Sequence, residues 1–224
     1  MDQVGTLYVV GTPIGNLEDT TLRAVRVLGE VDLVAAEDTR VTLKLLSRFG
    51  IRKPVIRMVE NERGINHVLD ELQSGKNVAL VVDAGTPGIS DPGELVVERA
   101  VDAGIRVVPI PGVTALTTAL SAVDLPFYEF TFLGFPPTKK GRKTFFESLR
   151  HEPKRLLLLY ESPYRITRTL EELKEALGER EVVVARELTK IHEEFFRGTL
   201  SEAIQYFKKT GGKGEFVIIV APTE

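Results

Sequence analysis

Apolar residues in the first half of this chain come in short, β-branched blocks, each cut off by glycine, proline or charge. Leu7-Tyr8-Val9-Val10 and Val78-Ala79-Leu80-Val81-Val82 are typical. Unbroken blocks of this length read as strands buried on both faces. They predict strands at 7–10, 32–36, 54–58, 78–82 and 106–110. Between the blocks the spacing turns helical. Leu22, Val25 and Leu28 mark a helix over 20–28, and residues 94–103 form another. Ile65, Val68, Leu69 and Leu72 repeat at i, i+3, i+4 and i+7, a helix with one buried face. Asn61 or Asn66 lies near its start and Gly75 near its end. Alternating strands and helices imply a mostly parallel sheet with right-handed crossovers. A small-residue helix at 114–122 stops at Asp124-Leu125-Pro126, so the domain boundary is expected after residue 122.

The second half opens with an aromatic strand at 128–134 and a basic tract at 136–143. Further strands are expected at 155–160, 182–187, 195–199 and 216–221. The helix at 166–177 buries Ile166, Leu170, Leu173 and Leu177 and turns Glu171, Glu172, Lys174 and Glu175 outward. A helix capped by Ser201, with Ala203, Ile204 and Phe207, precedes a glycine turn at 211–214. The expected architecture is two α/β domains, 1–122 and 123–224, with the cleft between them as the default ligand site.

Three strand ends share an unusual chemistry. Val78–Val82 runs into Asp83-Ala84-Gly85-Thr86-Pro87-Gly88-Ile89-Ser90-Asp91-Pro92-Gly93. The first strand runs into Gly11-Thr12-Pro13-Ile14-Gly15-Asn16, and the fifth into Pro111-Gly112-Val113-Thr114-Ala115. Prolines fix φ and remove donors, while glycines let backbone approach a ligand. Singly, each is a turn with a helix cap; together, at the carboxyl ends of parallel strands, they read as a ligand crevice. None is a GxGxxG or GxxxxGK[ST] sequence, so no phosphate cradle is indicated.

Composition narrows the chemistry. A net charge of −3 argues against a generally basic nucleic-acid binder but leaves room for a local patch. The absence of cysteine excludes disulfides, zinc thiolates, iron–sulfur clusters and thiol nucleophiles. The three histidines, His67, His151 and His192, are far apart, and no metal is expected. No apolar run approaches 18 residues and no basic, apolar leader is present, so a soluble, cytoplasmic protein is expected.

Charged groups gather at three more strand ends. Glu37-Asp38-Thr39-Arg40 reads either as a crevice-facing cluster or as the acidic first turn of a helix. Glu161-Ser162-Pro163-Tyr164-Arg165 and Arg186-Glu187-Leu188-Thr189-Lys190 occupy similar positions in the second half. Ser162 has no histidine at a telling distance, so a Ser-His-Asp arrangement is not apparent. Lys139, Lys140, Arg142 and Lys143, beside Phe145 and Phe146, form either a solvated loop or a contact to an RNA backbone.

The stretches GTPIGNLEDTTLRA (11–24), AAEDTR (35–40), DAGTPGISDPG (83–93), PGVTALTTALSA (111–122), ESPYR (161–165) and RELTKIHEE (186–194) are together distinctive. From about residue 5 to 221 the chain resembles the bacterial small-subunit ribosomal RNA 2′-O-ribose cytidine methyltransferases, a branch of the tetrapyrrole methylase family. The resemblance implies two α/β domains of that type, the second with a mixed sheet. It implies S-adenosylmethionine folded into the cleft, a homodimer, and methylation of a decoding-region cytidine ribose on assembled small subunits. It puts Thr12, Pro13, Asp83, Gly85, Thr86, Pro87, Ile89, Thr114, Ala115 and Leu116 at the cofactor. From the second half it adds Tyr160, Glu161, Arg186 and Leu188. Asp38 is the expected base, partly by analogy with tetrapyrrole methylases, and Glu187 the second choice. Arg40 and Lys190 would hold the neighbouring phosphate. Gly85-Thr86-Pro87 stands where porphyrin-methylating relatives have Gly-Asp-Pro, Val82 where the ribosomal branch commonly has Ser, and Tyr164 where it often has His. The alternatives are a tetrapyrrole C-methyltransferase and a non-catalytic ribosome-assembly factor.

Overall fold

The computed structural model describes residues 4–151 and 155–222. The chain forms two compact units, Met1–Thr114 and Ala115–Glu224. The expected boundary, after Ala122, falls beyond the first helix of the second unit.

In the first unit the chain alternates β1 (Thr6–Val10), α1 (Leu22–Glu30), β2 (Leu33–Ala36), α2 (Thr39–Arg48), β3 (Val55–Arg57), α3 (Glu62–Gln73), β4 (Val78–Val81), α4 (Glu94–Asp102) and β5 (Arg106–Ile110). The strands lie in the order β3-β2-β4-β1-β5, every pair parallel. Parallel neighbours require crossover helices, and these cover both faces. Leu7, Leu33, Ala35 and Leu80 face one way, packed with Val68, Leu72 and Val96 from α3 and α4. Val10, Val34, Ala36, Ala79 and Val81 face the other, packed with Ala24, Leu28 and Leu46 from α1 and α2. This is why the strand sequences are continuously apolar rather than alternating. Leu80 is fully buried in the middle strand, so Leu80→Ala would cost about 2–5 kcal/mol. Asn61 caps α3, its side chain accepting from the Gly64 N–H at 2.9 Å, and Gly75 leaves the helix at φ +92°.

The second unit contains α5 (Ala115–Ser121), β6 (Phe130–Phe132), α6 (Arg142–Ser148), β7 (Leu156–Glu161), α7 (Ile166–Leu177), β8 (Glu181–Arg186), β9 (Glu194–Thr199), α8 (Leu200–Thr210) and β10 (Phe216–Val220). Its order is β6-β7-β10-β8-β9, with β6 and β7 parallel and the remaining pairs antiparallel. Leu157, Leu159, Val184 and Ile218 pack with Leu170, Leu173 and Phe207 from α7 and α8.

Three local expectations change. The aromatic strand is shorter than 128–134, and the basic tract turns into α6 at Arg142. The cap of α8 is Thr199, not Ser201. Glu202 N–H donates to Thr199 Oγ1 at 3.3 Å, and Thr199 N–H donates to Glu202 Oε2 at 2.8 Å, a reciprocal capping box. Among the described residues no helix is long and apolar enough to cross a membrane.

Candidate active site

The first unit's loops are joined at the carboxyl edge of the sheet by main-chain groups. Thr12 and Gly85 form an antiparallel bridge, Thr12 N–H to Gly85 O at 2.8 Å and Gly85 N–H to Thr12 O at 3.1 Å. Buried Thr12 also places Oγ1 3.0 Å from the Val82 carbonyl and 3.1 Å from that of Gly85. Thr86 Oγ1 donates to Val113 O at 3.4 Å, which ties in the third loop. Gly11 and Gly112 meet face to face: a Cβ on Gly11 would lie 2.7 Å from the Gly112 Cα. Gly85, at φ +88°, has room for a Cβ but not the conformation for one. Pro87 is buried and Pro13 partly so, while Ala84, Gly88, Ile89 and Ser90 are exposed, the Ile89 N–H donating to the Thr86 carbonyl at 3.2 Å.

Acidic residues brace the ends of β2 and β4. Asp38 caps α2, accepting from the Arg40 N–H at 2.8 Å, and pairs with the Arg40 guanidinium at 2.5 Å. Of the two readings of this cluster the helix start is the nearer, with Asp38 as the cap and no acid inside the first turn. Asp83 Oδ1 accepts from the Asp38 N–H at 3.1 Å, and Glu37 Oε2 from the Asp83 N–H at 3.3 Å. The Arg40 side chain, then its N–H, hold the Asp38 carboxyl far below the usual carboxylate range. Asp38 in turn raises Arg40. Paired with Arg40, Asp38 is a weaker proton acceptor than a free carboxylate.

The second unit's strand ends are organised by side chains. Glu187, at φ +51°, accepts from Lys190 Nζ at 2.9 Å and the Glu215 N–H at 3.0 Å. Lys190 also reaches Glu215 Oε2 at 2.9 Å. Burial works to raise Glu187, but the Lys190 ammonium and the Glu215 N–H outweigh it and leave the carboxyl lowered. For Lys190 burial opposes the two carboxylates, which win and raise it. Thr189, β-branched yet at φ +66°, has a buried hydroxyl without a partner. Arg186 is held by Glu194 at 3.1 Å and the Lys213 carbonyl at 2.6 Å, and Leu188 is buried. Leu116 N–H donates to Tyr160 Oη at 2.9 Å, and the Tyr160 ring meets Phe132 edge-on at 4.9 Å.

Glu161 is entirely inside. Its carboxylate accepts from Thr169 Oγ1 at 2.5 Å and the Ser162 N–H at 2.7 Å and pairs with Arg165 at 2.8 Å. Arg142 is buried too, bound to Glu172 at 2.6 Å and donating to Thr169 Oγ1 at 2.6 Å.

The family profile described as Tetrapyrrole (Corrin/Porphyrin) Methylases matches residues 6–204. The chain belongs to that family. A relative from Thermotoga maritima, "Ribosomal RNA small subunit methyltransferase I", is 46% identical over 223 residues, covering 99% of this chain and 100% of its own. One of the same name from Synechocystis is 51% identical, covering 97% of this chain and 79% of its own. The solved uroporphyrin-III C-methyltransferase of Thermus thermophilus, complexed with S-adenosylhomocysteine, superposes with a TM-score of 0.69 at 19% identity, covering 97% of each chain. The likeness is one of fold.

Within this methylase the structure gathers Thr12, Asp83, Gly85 and Thr86 at one sheet edge with Asp38. It corrects one expectation: Arg142 is not an exposed cation, because its guanidinium is turned inward onto Glu172 and Thr169. Lys139, Lys140 and Lys143 are exposed. Lys190 is engaged by two carboxylates. The sequence reading overlooked Gly11 and Gly112 as a contact, although both stood in the quoted loops. It overlooked Thr169, the polar member of the Ile166, Thr169, Leu170, Leu173 stripe, whose helical spacing already assigned it to the buried face. Among the described residues no group of three His, Asp or Glu could hold a metal.

Proposed function

We propose that this chain methylates the RNA of the small ribosomal subunit with S-adenosylmethionine, at the 2′-oxygen of a cytidine ribose in the decoding region. The end-to-end 46% identity to the Thermotoga maritima methyltransferase carries the reading of substrate and reaction. The finer choice of acceptor atom rests on the motif resemblance. As a ribosomal enzyme it works in the cytoplasm, and the resemblance adds a homodimer, which light scattering would test.

The first unit's edge suits such a cofactor. S-adenosylmethionine carries a zwitterion and an adenine, which call for accessible main-chain groups beside apolar surface. Exposed Ala84, Gly88 and Ser90 suit the first, and exposed Ile89 with half-buried Pro13 the second. Thr12, Asp83, Gly85 and Thr86 hold these groups in place. The cofactor supplies an activated methyl group, and the protein's task is to present the acceptor in line with it. Such positioning supplies roughly 7–11 kcal/mol. With Asp38 paired to Arg40 and Glu187 to Lys190, positioning outweighs proton abstraction here.

The test is to incubate the protein and S-adenosylmethionine with unmethylated small subunits and locate the methyl group by mass spectrometry of the RNA. A 2′-O-methylcytidine in the decoding region supports the proposal. Unmodified RNA overturns it, and a tetrapyrrole methylated in a parallel reaction would assign the chain to the other branch.

A further inference from the structure

The polar network inside the second unit comes to the surface in a shallow groove of about 360 Å³ between α6 and α7, walled by Lys139, Lys143, Phe146, Arg150, Arg168 and Glu172. Lys143, Phe146 and Arg150 follow one another at helical spacing, and Arg168 and Glu172 stand on the facing helix. All four cations are exposed. Arg142 and Arg168 share the Glu172 carboxylate, at 2.6 and 3.1 Å, so its charge is compensated from within. Glu147 lies 3.7 Å from Lys143 in an exposed pair, and such pairs hold weakly. Glu175 is the other acid of the wall. Among the described residues Lys139 and Arg150 have no ion pair.

The loop that carries Lys139 is fixed from below. Arg142 donates to the Pro137 carbonyl at 2.9 Å, and Arg165 to the Pro136 carbonyl at 3.2 Å. Arg165 binds Glu161 directly at 2.8 Å, and Arg142 reaches it through Thr169. The Arg142 guanidinium also lies 5.1 Å from the Phe146 ring centre. Two consecutive carbonyls are thus clamped by two arginines anchored on one buried carboxylate.

We propose that this groove seats the phosphodiester backbone of the substrate RNA. Lys139, Lys143, Arg150 and Arg168 contact phosphates, and Arg142 is a positioning residue that sets Lys139 without touching RNA. Four exposed cations, on α6, on α7, on the loop before α6 and on the 3-10 turn after it, suit a polyanion with repeated charges in a net-acidic protein. The inference rests on the reading of the chain as an RNA methyltransferase.

The experiment measures binding to purified small subunits between 50 and 200 mM salt, with cofactor affinity by calorimetry as the check on folding. The double variant Arg150→Gln and Arg168→Gln should flatten the salt dependence by about 2, since each lost phosphate contact removes about 1 from the slope. Arg142→Lys keeps the charge but not the fork, and should lower the slope by about 1 through Lys139. A double variant with wild-type slope and affinity overturns the groove while the methyltransferase reading stands. A wild-type protein that binds no small subunits overturns both. An unchanged slope in Arg142→Lys, with the double variant affected, overturns the positioning role alone.

Discussion

The two sheet edges achieve order by opposite means. In the first unit, main chain meets main chain: Thr12 bridges Gly85, and Gly11 presses on Gly112. In the second, charge meets charge: Glu161, Arg165, Glu187 and Lys190 are each held by partners. A main-chain edge demands small residues and leaves accessible polar backbone for a ligand. A charged edge demands complete pairing, because a buried ion left alone is costly. The second should therefore be the more sensitive to loss of charge, while an added methyl is costly at Gly11 and Gly112 in the first and at Gly212 and Gly214 in the second.

Removing a buried partner should have the largest effect. Glu161→Ala strands Arg165 and Thr169 in the interior, and urea unfolding should show a loss of about 3–5 kcal/mol. A variant within 1 kcal/mol of wild type would mean that the network relaxes freely.

Next comes the added methyl. Gly11→Ala puts a Cβ against the Gly112 backbone and should destabilise by about 1–3 kcal/mol, with cofactor affinity lost in calorimetry. Gly85→Val should cost less, about 1–2 kcal/mol per left-handed residue, because φ rather than space forbids it, and it too should lose cofactor. Equal, wild-type cofactor affinity in both variants would remove these loops from the site.

Glu187→Gln should cost about 1 kcal/mol at pH 7. The folded carboxyl lies below its ordinary value of 4.5, so its contribution is complete above that value and fades as the pH falls through the folded value. Lys190 is raised from 10.5, so its share is complete below that value and disappears as the pH rises past the folded one. Melting curves of wild type and variant should converge in acid. Curves that stay parallel at all pH values would assign the loss to packing.

The smallest effect is expected at Asp38. Asn is as good a cap as Asp, and the carboxyl is already a poor base. Single-turnover methylation by Asp38→Asn should stay within about tenfold of wild type, below the 10²–10⁴ of a true general base. A loss of that larger size, together with an ionisation that disappears from the pH–rate profile, would restore Asp38 as the base.

These contrasts also explain what could be read in advance. The strands of the parallel sheet were legible because burial on both faces forces unbroken apolar runs, as at Val78–Val81. The helix at 166–177 showed itself through its stripe. The short helix α6 did not, because Arg142 is a core residue with a surface composition and its partner Thr169 lies 27 positions away. Charge alone cannot reveal which way a guanidinium points. The cap at Thr199 was legible as Thr199-Leu200-Ser201-Glu202 but was hidden inside a strand reading. The lowered pKa of Asp38 was not legible, since it depends on how Arg40 folds back onto it.

The strand order of the first sheet has a consequence for synthesis. β1 is made before the other four strands of its sheet, yet its two neighbours are β4 and β5, and β5 ends at Ile110. Until β4 is made, Leu7-Tyr8-Val9-Val10 has no permanent partner, and its second side stays open until the next hundred residues have been added, roughly 5–20 s at ordinary elongation rates. The nascent chain must therefore keep one edge of this strand from pairing elsewhere until the fifth strand emerges, and translational pausing before Ile110 should expose that edge to chaperones.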